Sequence, residues 1–133
     1  MTDVTHRTAL DMRIEEWKAY RPIPAIHQRQ SATRTQLDRR RKRAMRFARQ
    51  AAALLRAEFG ARDVLLFGSL ASPNGYTLWS DIDLAVTGVP ADRFYAAVAA
   101  VIGLSAEFKV DLVDAEACNS SLCEAIERDG IAL

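Results

Sequence analysis

The sequence predicts an α/β (α+β) domain, a small β-sheet flanked by helices, and three observations carry that prediction. Apolar residues recur at three- and four-residue steps as far as Phe59, and after Gly60 they condense into short runs. Three of these runs, DVLLFGS, DIDLAVTG and FKVDLVD, have strand length rather than helix length. Helical spacing returns between and after them. The order is therefore helix, helix, strand, strand, helix, strand, helix, which suits a small sheet covered by helices.

Taken in order, Leu10, Ile14 and Trp17 fall on one face of a short first helix. Pro22 and Pro24 in RPIPAI favour extended neighbours, so residues 21–33 read as a linker or arm. Thr33 or Thr35 can cap a long second helix over 35–59, with Leu37, Ala44, Ala48, Ala51, Leu55 and Phe59 as its apolar stripe and Gly60 as its stop. Pro90 opens a helix through Phe94, Ala97, Val98, Val101 and Ile102, which Gly103 ends. FKVDLVD alternates strictly, with Phe108, Val110 and Leu112 set against Lys109, Asp111 and Val113. A last helix starts near Asn119 or Ser120, uses Leu122, Ala125 and Ile126, and stops at Gly130. The expected organisation is an N-terminal helix and arm at 1–34 and a domain at 35–133, whose core is 63–133.

The chain has 133 residues, half of them hydrophobic and 26% charged, as in an ordinary globular domain. No apolar stretch approaches the roughly 20 residues that span a bilayer, and the N-terminus lacks a signal-peptide pattern. Cys118 and Cys123 are five apart, which is not a metal-binding spacing. They read as reduced thiols, and the protein as cytoplasmic. His6 and His27 are isolated and read as surface or lightly packed residues.

The net charge of +1 hides a division. Residues 1–62 carry 15 Lys/Arg against 6 Asp/Glu, a net +9, and residues 63–133 carry 3 against 11, a net −8. Arg39–Arg43 are five consecutive cations, enough to cover every side of a helix and set near its expected N-terminal end, where the dipole disfavours them. They read as a solvated helix end, as a nucleic-acid contact (less favoured, for want of interleaved aromatics), or as a surface that docks an acidic partner or supplies a phosphate-binding cation.

The chemistry concentrates in the acidic half. Aspartate is unfavourable in strands, yet Asp81 and Asp83 head an apolar strand and share one face of it, about 7 Å apart. Two anions there repel unless a cation lies between them, and Mg²⁺ suits carboxylates combined with phosphate oxygens. If the strand of Asp111 is adjacent, three carboxylates converge at one sheet edge, the arrangement for two metal ions clamping a displacement at phosphorus. Gly68-Ser69 ends the preceding strand, where a glycine lets backbone approach a ligand and N–H groups can hold phosphate oxygens. No GxxxxGK[ST] loop is present. Lys109 shares a face with Asp111, where it can pair with a carboxylate or reach a phosphate. Tyr76 and Trp79, in the intervening loop, read as packing residues more than base-stacking ones.

Gly68-Ser69, Asp81-Ile82-Asp83 and Asp111 together resemble the signature of the DNA polymerase beta-like nucleotidyltransferases, and the short length is most similar to the minimal nucleotidyltransferases (MNT) encoded beside HEPN partners. The resemblance covers Asp63 to Leu133, including the ending IERDGIAL. It implies a mixed sheet of the polymerase beta palm type, Mg²⁺ (two ions) held by Asp81, Asp83 and Asp111, an NTP such as ATP at Gly68 and Ser69, and transfer of a nucleoside monophosphate. By the same resemblance the chain is an antitoxin that adenylylates a HEPN ribonuclease toxin. The family's loop after Gly-Ser commonly carries arginine; LASPNG has none before Asp81. Two other readings stand beside this one: an antitoxin that acts by binding alone, and a stand-alone nucleotidyltransferase for a small molecule or RNA end.

Overall fold

The computed structural model describes residues 23–133, with side chains from residue 33 onward. The expected helix through Leu10, Ile14 and Trp17, and the side chains of His6 and His27, lie outside the described residues. The chain divides into two units, Met1–Gln36 and Leu37–Leu133, and each is described by itself.

The described part of the first unit is helical. Helix α1 runs Ile23–Phe59, so the stretch expected as a linker is helical from Ile23 and no cap falls at Thr33 or Thr35. The reason is positional. Pro24 sits in the first turn, where a helix needs no N–H donor and the fixed φ of proline fits. The cations Arg39–Arg43 are consequently in mid-helix rather than at its N-terminal end, and the dipole argument against them lapses.

In the second unit, α1 ends where Gly60 takes φ 70°, as its place after the last apolar residue predicts. Strands β1 (Val64–Phe67) and β2 (Ile82–Val86) pair antiparallel. A 3₁₀ turn at Ala91–Arg93 and helix α2 (Phe94–Ile102) then carry the chain back to β3 (Val110–Asp114), which pairs parallel to β2. A helical crossover is what a parallel pair requires. Helix α3 (Ser120–Asp129) is capped by the Asn119 side chain, which accepts from Leu122 N–H at 2.9 Å. Two residues, Ile131–Ala132, form β4, an edge strand too short to show in the hydrophobic pattern. The sheet order is β3-β2-β1-β4, a mixed sheet in an α+β domain, as the fold class predicted.

One sheet face carries Val64, Leu66, Ile82, Leu84, Val86, Val110 and Leu112 into the main core. Against them lie Ala44, Phe47, Ala48, Ala51, Leu55 and Phe59 of α1, with Ala97 and Val101 of α2. The other face holds Phe67 and Ala85 against Ile126 of α3. Ile102, expected inside, is 53% exposed, because α2 turns only Ala97 and Val101 fully inward.

Cys118 and Cys123 are joined in a disulfide, which corrects the expectation of free thiols. The first turn of α3 brings the two Cα atoms to 5.9 Å, within the span a disulfide bridges. Spacing alone gave no sign of this, because five residues pass through a cap and a turn. Among the described residues, no helix is long and apolar enough to cross a membrane.

The small residues of α1 let its backbone lie close on the sheet, and Ala48 is wholly buried. Ala48→Leu is expected to destabilise the domain by about 1–3 kcal/mol through overpacking. Ala53→Leu, on the exposed face, should stay within about 0.5 kcal/mol. Urea midpoints of the two variants check this.

Candidate functional site

The end of the sheet where β1 finishes and β2 and β3 begin gathers the polar chemistry. Phe67 pairs with Asp83 in the antiparallel ladder, so Gly68 follows directly beside the Asp83 carboxylate. Gly68 has φ 74°, and a Cβ there would run into Asp83 Oδ2. Only glycine serves on both counts. Asp83 is in turn the register partner of Asp111 across the parallel β2–β3 ladder. The tight 68–72 turn, with Ala71 N–H bonded to Gly68 O and Ser72 N–H to Ser69 O at 3.2 Å each, sets Ser69 at the corner.

Asp83 is partly buried, and its carboxyl is pushed above the usual aspartate range. Burial is the largest cause; the negative charges of Asp111 and Asp81 add to it, and Lys109 opposes it. A side-chain hydrogen bond to Asp111 favours the protonated form further.

Asp81 lies one residue ahead of β2, and its carboxylate is 3.7 Å from Lys109 Nζ. Lys109 thus pairs with a carboxylate of the site, one of the two roles that its place two residues before Asp111 allows. Lys109 directly precedes β3, and Ile82 N–H bonds its carbonyl at 2.9 Å, which brings it alongside Asp81. Among the described residues no three acidic, histidine or cysteine side chains form a ready ligand set for a metal ion. The donor chemistry nonetheless fits Mg²⁺: the groups are hard carboxylate oxygens, and Asp83 and Asp111 repel each other where a cation would relieve them.

The basic stretch reaches the same end of the sheet. Arg43 Nε donates to Glu107 Oε1 at 2.8 Å, and Arg40 lies 3.6 Å from the same oxygen and donates to the Glu107 carbonyl at 3.3 Å. The Arg40 guanidinium also stacks 4.7 Å from the Phe108 ring centroid. Arg41 Nη2 donates to the carbonyl of Leu70 at 3.5 Å, one residue past Ser69. The run is thus partly committed to the fold, which a view of it as a solvated helix end misses; Glu107, the only acid close before β3, was the available clue. Tyr76 is buried in the core, and burial pushes its hydroxyl above the usual range while the Arg40 and Arg43 charges oppose the shift. Trp79 is 88% exposed, which departs from a packing role.

No family profile and no curated protein matches the chain. Solved structures do. One is an MntA–HepT toxin–antitoxin pair with a tyrosine replaced by alanine: 26% identity, TM-score 0.53, aligned over 64% of this chain and 69% of that one. The chain has the fold of an MNT antitoxin. The resemblance that the sequence carries to the minimal nucleotidyltransferases therefore holds in three dimensions. A toxin–antitoxin structure with AMP-PNP aligns at 24% identity and TM-score 0.53, over 64% of this chain and 70% of that one. The MNT antitoxin in complex with tri-AMPylated Shewanella oneidensis HEPN toxin aligns at 21% identity and TM-score 0.50, over 67% and 70%.

Two outcomes follow from the geometry of this sheet end. Gly68→Ala is expected to cost at least about 1–2 kcal/mol from the left-handed backbone alone, with the clash at Asp83 added; thermal unfolding measures it. Asp83 has a folded-state pKa above its unfolded value, so in that window the folded chain keeps a proton the unfolded chain releases. Stability in EDTA should therefore be greatest below the unfolded pKa and decline as pH rises through the folded one. Asp83→Asn should flatten that decline and raise stability at neutral pH by on the order of 1 kcal/mol, read as melting temperature against pH.

Proposed function

We propose that the chain is a Mg²⁺-dependent nucleotidyltransferase, an antitoxin that moves AMP from ATP onto a hydroxyl of a HEPN-type toxin in the cytoplasm. Its catalytic domain is 35–133, with the core at 63–133. The observation that carries this is the pairing of Asp83 with Asp111 in one ladder, directly against Gly68. The solved relatives support it: one holds AMP-PNP, one pairs an MNT antitoxin with a tri-AMPylated HEPN toxin, and one MntA–HepT variant has two aspartates, two positions apart, replaced by glutamate.

Asp81, Asp83 and Asp111 would hold the Mg²⁺. Once bound, it supplies charge neutralisation at the α-phosphate and at the departing pyrophosphate. The backbone N–H groups of Gly68 and Ser69 and the Ser69 hydroxyl hold phosphate oxygens in the tight turn after β1. Asp111 accepts the proton of the acceptor hydroxyl, whose oxygen attacks the α-phosphorus as the bond to pyrophosphate breaks. Asp111 is exposed at its end of an edge strand, where an acceptor carried by a second protein can reach it.

A second reading, neutralisation by binding alone, is favoured by one observation: Asp81 is already ion-paired with Lys109. An assay with ATP labelled separately at the α and γ positions, with Mg²⁺ and the HEPN partner, separates the two. Transfer predicts α label on the partner and released pyrophosphate, reduced by about 100-fold or more in Asp111→Asn. Full neutralisation with no label selects binding alone. γ label on the partner would sink the proposal.

A further inference from the structure

We propose that Arg41, reaching over from helix α1, is the residue that binds the triphosphate tail of the nucleotide. This rests on the nucleotide reading above and adds a residue to it. A nucleoside triphosphate brings several negative charges to a sheet end that already holds Asp81, Asp83 and Asp111. The cations there are nearly all spoken for. Lys109 faces Asp81 at 3.7 Å, and Arg40 and Arg43 share Glu107 at 3.6 and 2.8 Å. Arg41 differs. It has no acidic partner among the described residues, and its one hydrogen bond, 3.5 Å to the Leu70 carbonyl, is at the limit of bonding distance. That bond places the guanidinium at the loop that begins with Gly68-Ser69.

A second observation points the same way. Among the described residues, Arg41 Nε is a buried polar atom with no hydrogen-bond partner, as is its neighbour Arg40 Nε, while the Tyr76 hydroxyl interacts with Arg40. Tyr76 is only 6% exposed. A buried polar group left unpaired is costly, and an anion bound beside the Gly68-Ser69 loop would relieve that cost at Arg41. An oxyanion engaging Arg41 supplies both the countercharge and the acceptor oxygens. The loop LASPNG, which carries no cation of its own, thereby receives one from a helix far away in sequence.

The test compares ATP, AMP and inorganic tripolyphosphate binding, by calorimetry with Mg²⁺, to the full chain and to Arg41→Gln. Arg41→Gln should weaken ATP and tripolyphosphate by roughly tenfold or more, the scale of one charge-assisted hydrogen bond. AMP, which lacks the tail, should change by less than about threefold, and Arg43→Gln should leave all three within about threefold. Equal loss of AMP and ATP in Arg41→Gln would assign the residue to loop support and overturn the inference. Unchanged ATP and tripolyphosphate binding would also overturn it, while the nucleotide reading stands. Tripolyphosphate binding that depends on Arg41, in a chain that binds no ATP, would uphold the site and overturn the nucleotide reading. A chain that binds neither overturns both.

Discussion

Asp83 and Asp111 face each other across a parallel ladder, and much of the molecule serves to hold them there. Left to themselves, two carboxylates so placed would separate. They are fixed because β2 and β3 are locked by the hydrophobic face beneath them, where Ile82, Leu84, Val86, Val110 and Leu112 are buried against α1 and α2. The alternation of a strand makes the two requirements compatible. Every residue that anchors the pair points one way, and the carboxylates point the other. Gly68 then closes the site from β1, since any larger residue would displace Asp83. An electrostatic penalty falls on Asp83, whose proton is retained more tightly as a result.

The charge asymmetry of the sequence has its physical account in the same place. The basic half of the chain does not simply sit in solvent. Arg40 and Arg43 cross to Glu107 on the approach to β3, and Arg41 crosses to the turn after β1. These are links between elements distant in sequence, and they tie α1 to both loops that border the carboxylates. The pairs are largely exposed, so each contributes little to stability by itself. Their larger effect is to fix where the remaining positive charge of the helix stands relative to an acidic sheet end.

What could be read from the sequence was whatever depends on neighbours in the chain. The stop of α1 at Gly60, the three strands, the Asn119 cap and the strict alternation around Asp111 all follow from local pattern, and the D-x-D spacing put Asp83 opposite to its apolar neighbours. What depends on partners far along the chain was hidden. That Asp83 pairs with Asp111, rather than with a neighbour one or two residues off, is a matter of register, which no single strand discloses. Which carboxylate Lys109 meets, and the cross-links of α1 to Glu107, have the same origin. Two local readings failed for different reasons. Pro24 looks like a breaker, yet it stands in the first turn of α1, and the Cys118–Cys123 link depends on a turn geometry that spacing does not encode.

The position of β3 at the rim of the sheet has another consequence. An edge strand leaves unpaired backbone groups that can recruit a strand from another molecule, and the two rims here guard against that differently. On one side β4 is only two residues long and offers little to pair with. On the other, β3 is five residues long and carries Asp111 and Asp114, with Lys109 just before it. The charges that crowd the site also make this rim a poor template for stacking chains. Neutralising them to study chemistry would at the same time remove a barrier to self-association, so loss of solubility and loss of function are coupled along this strand.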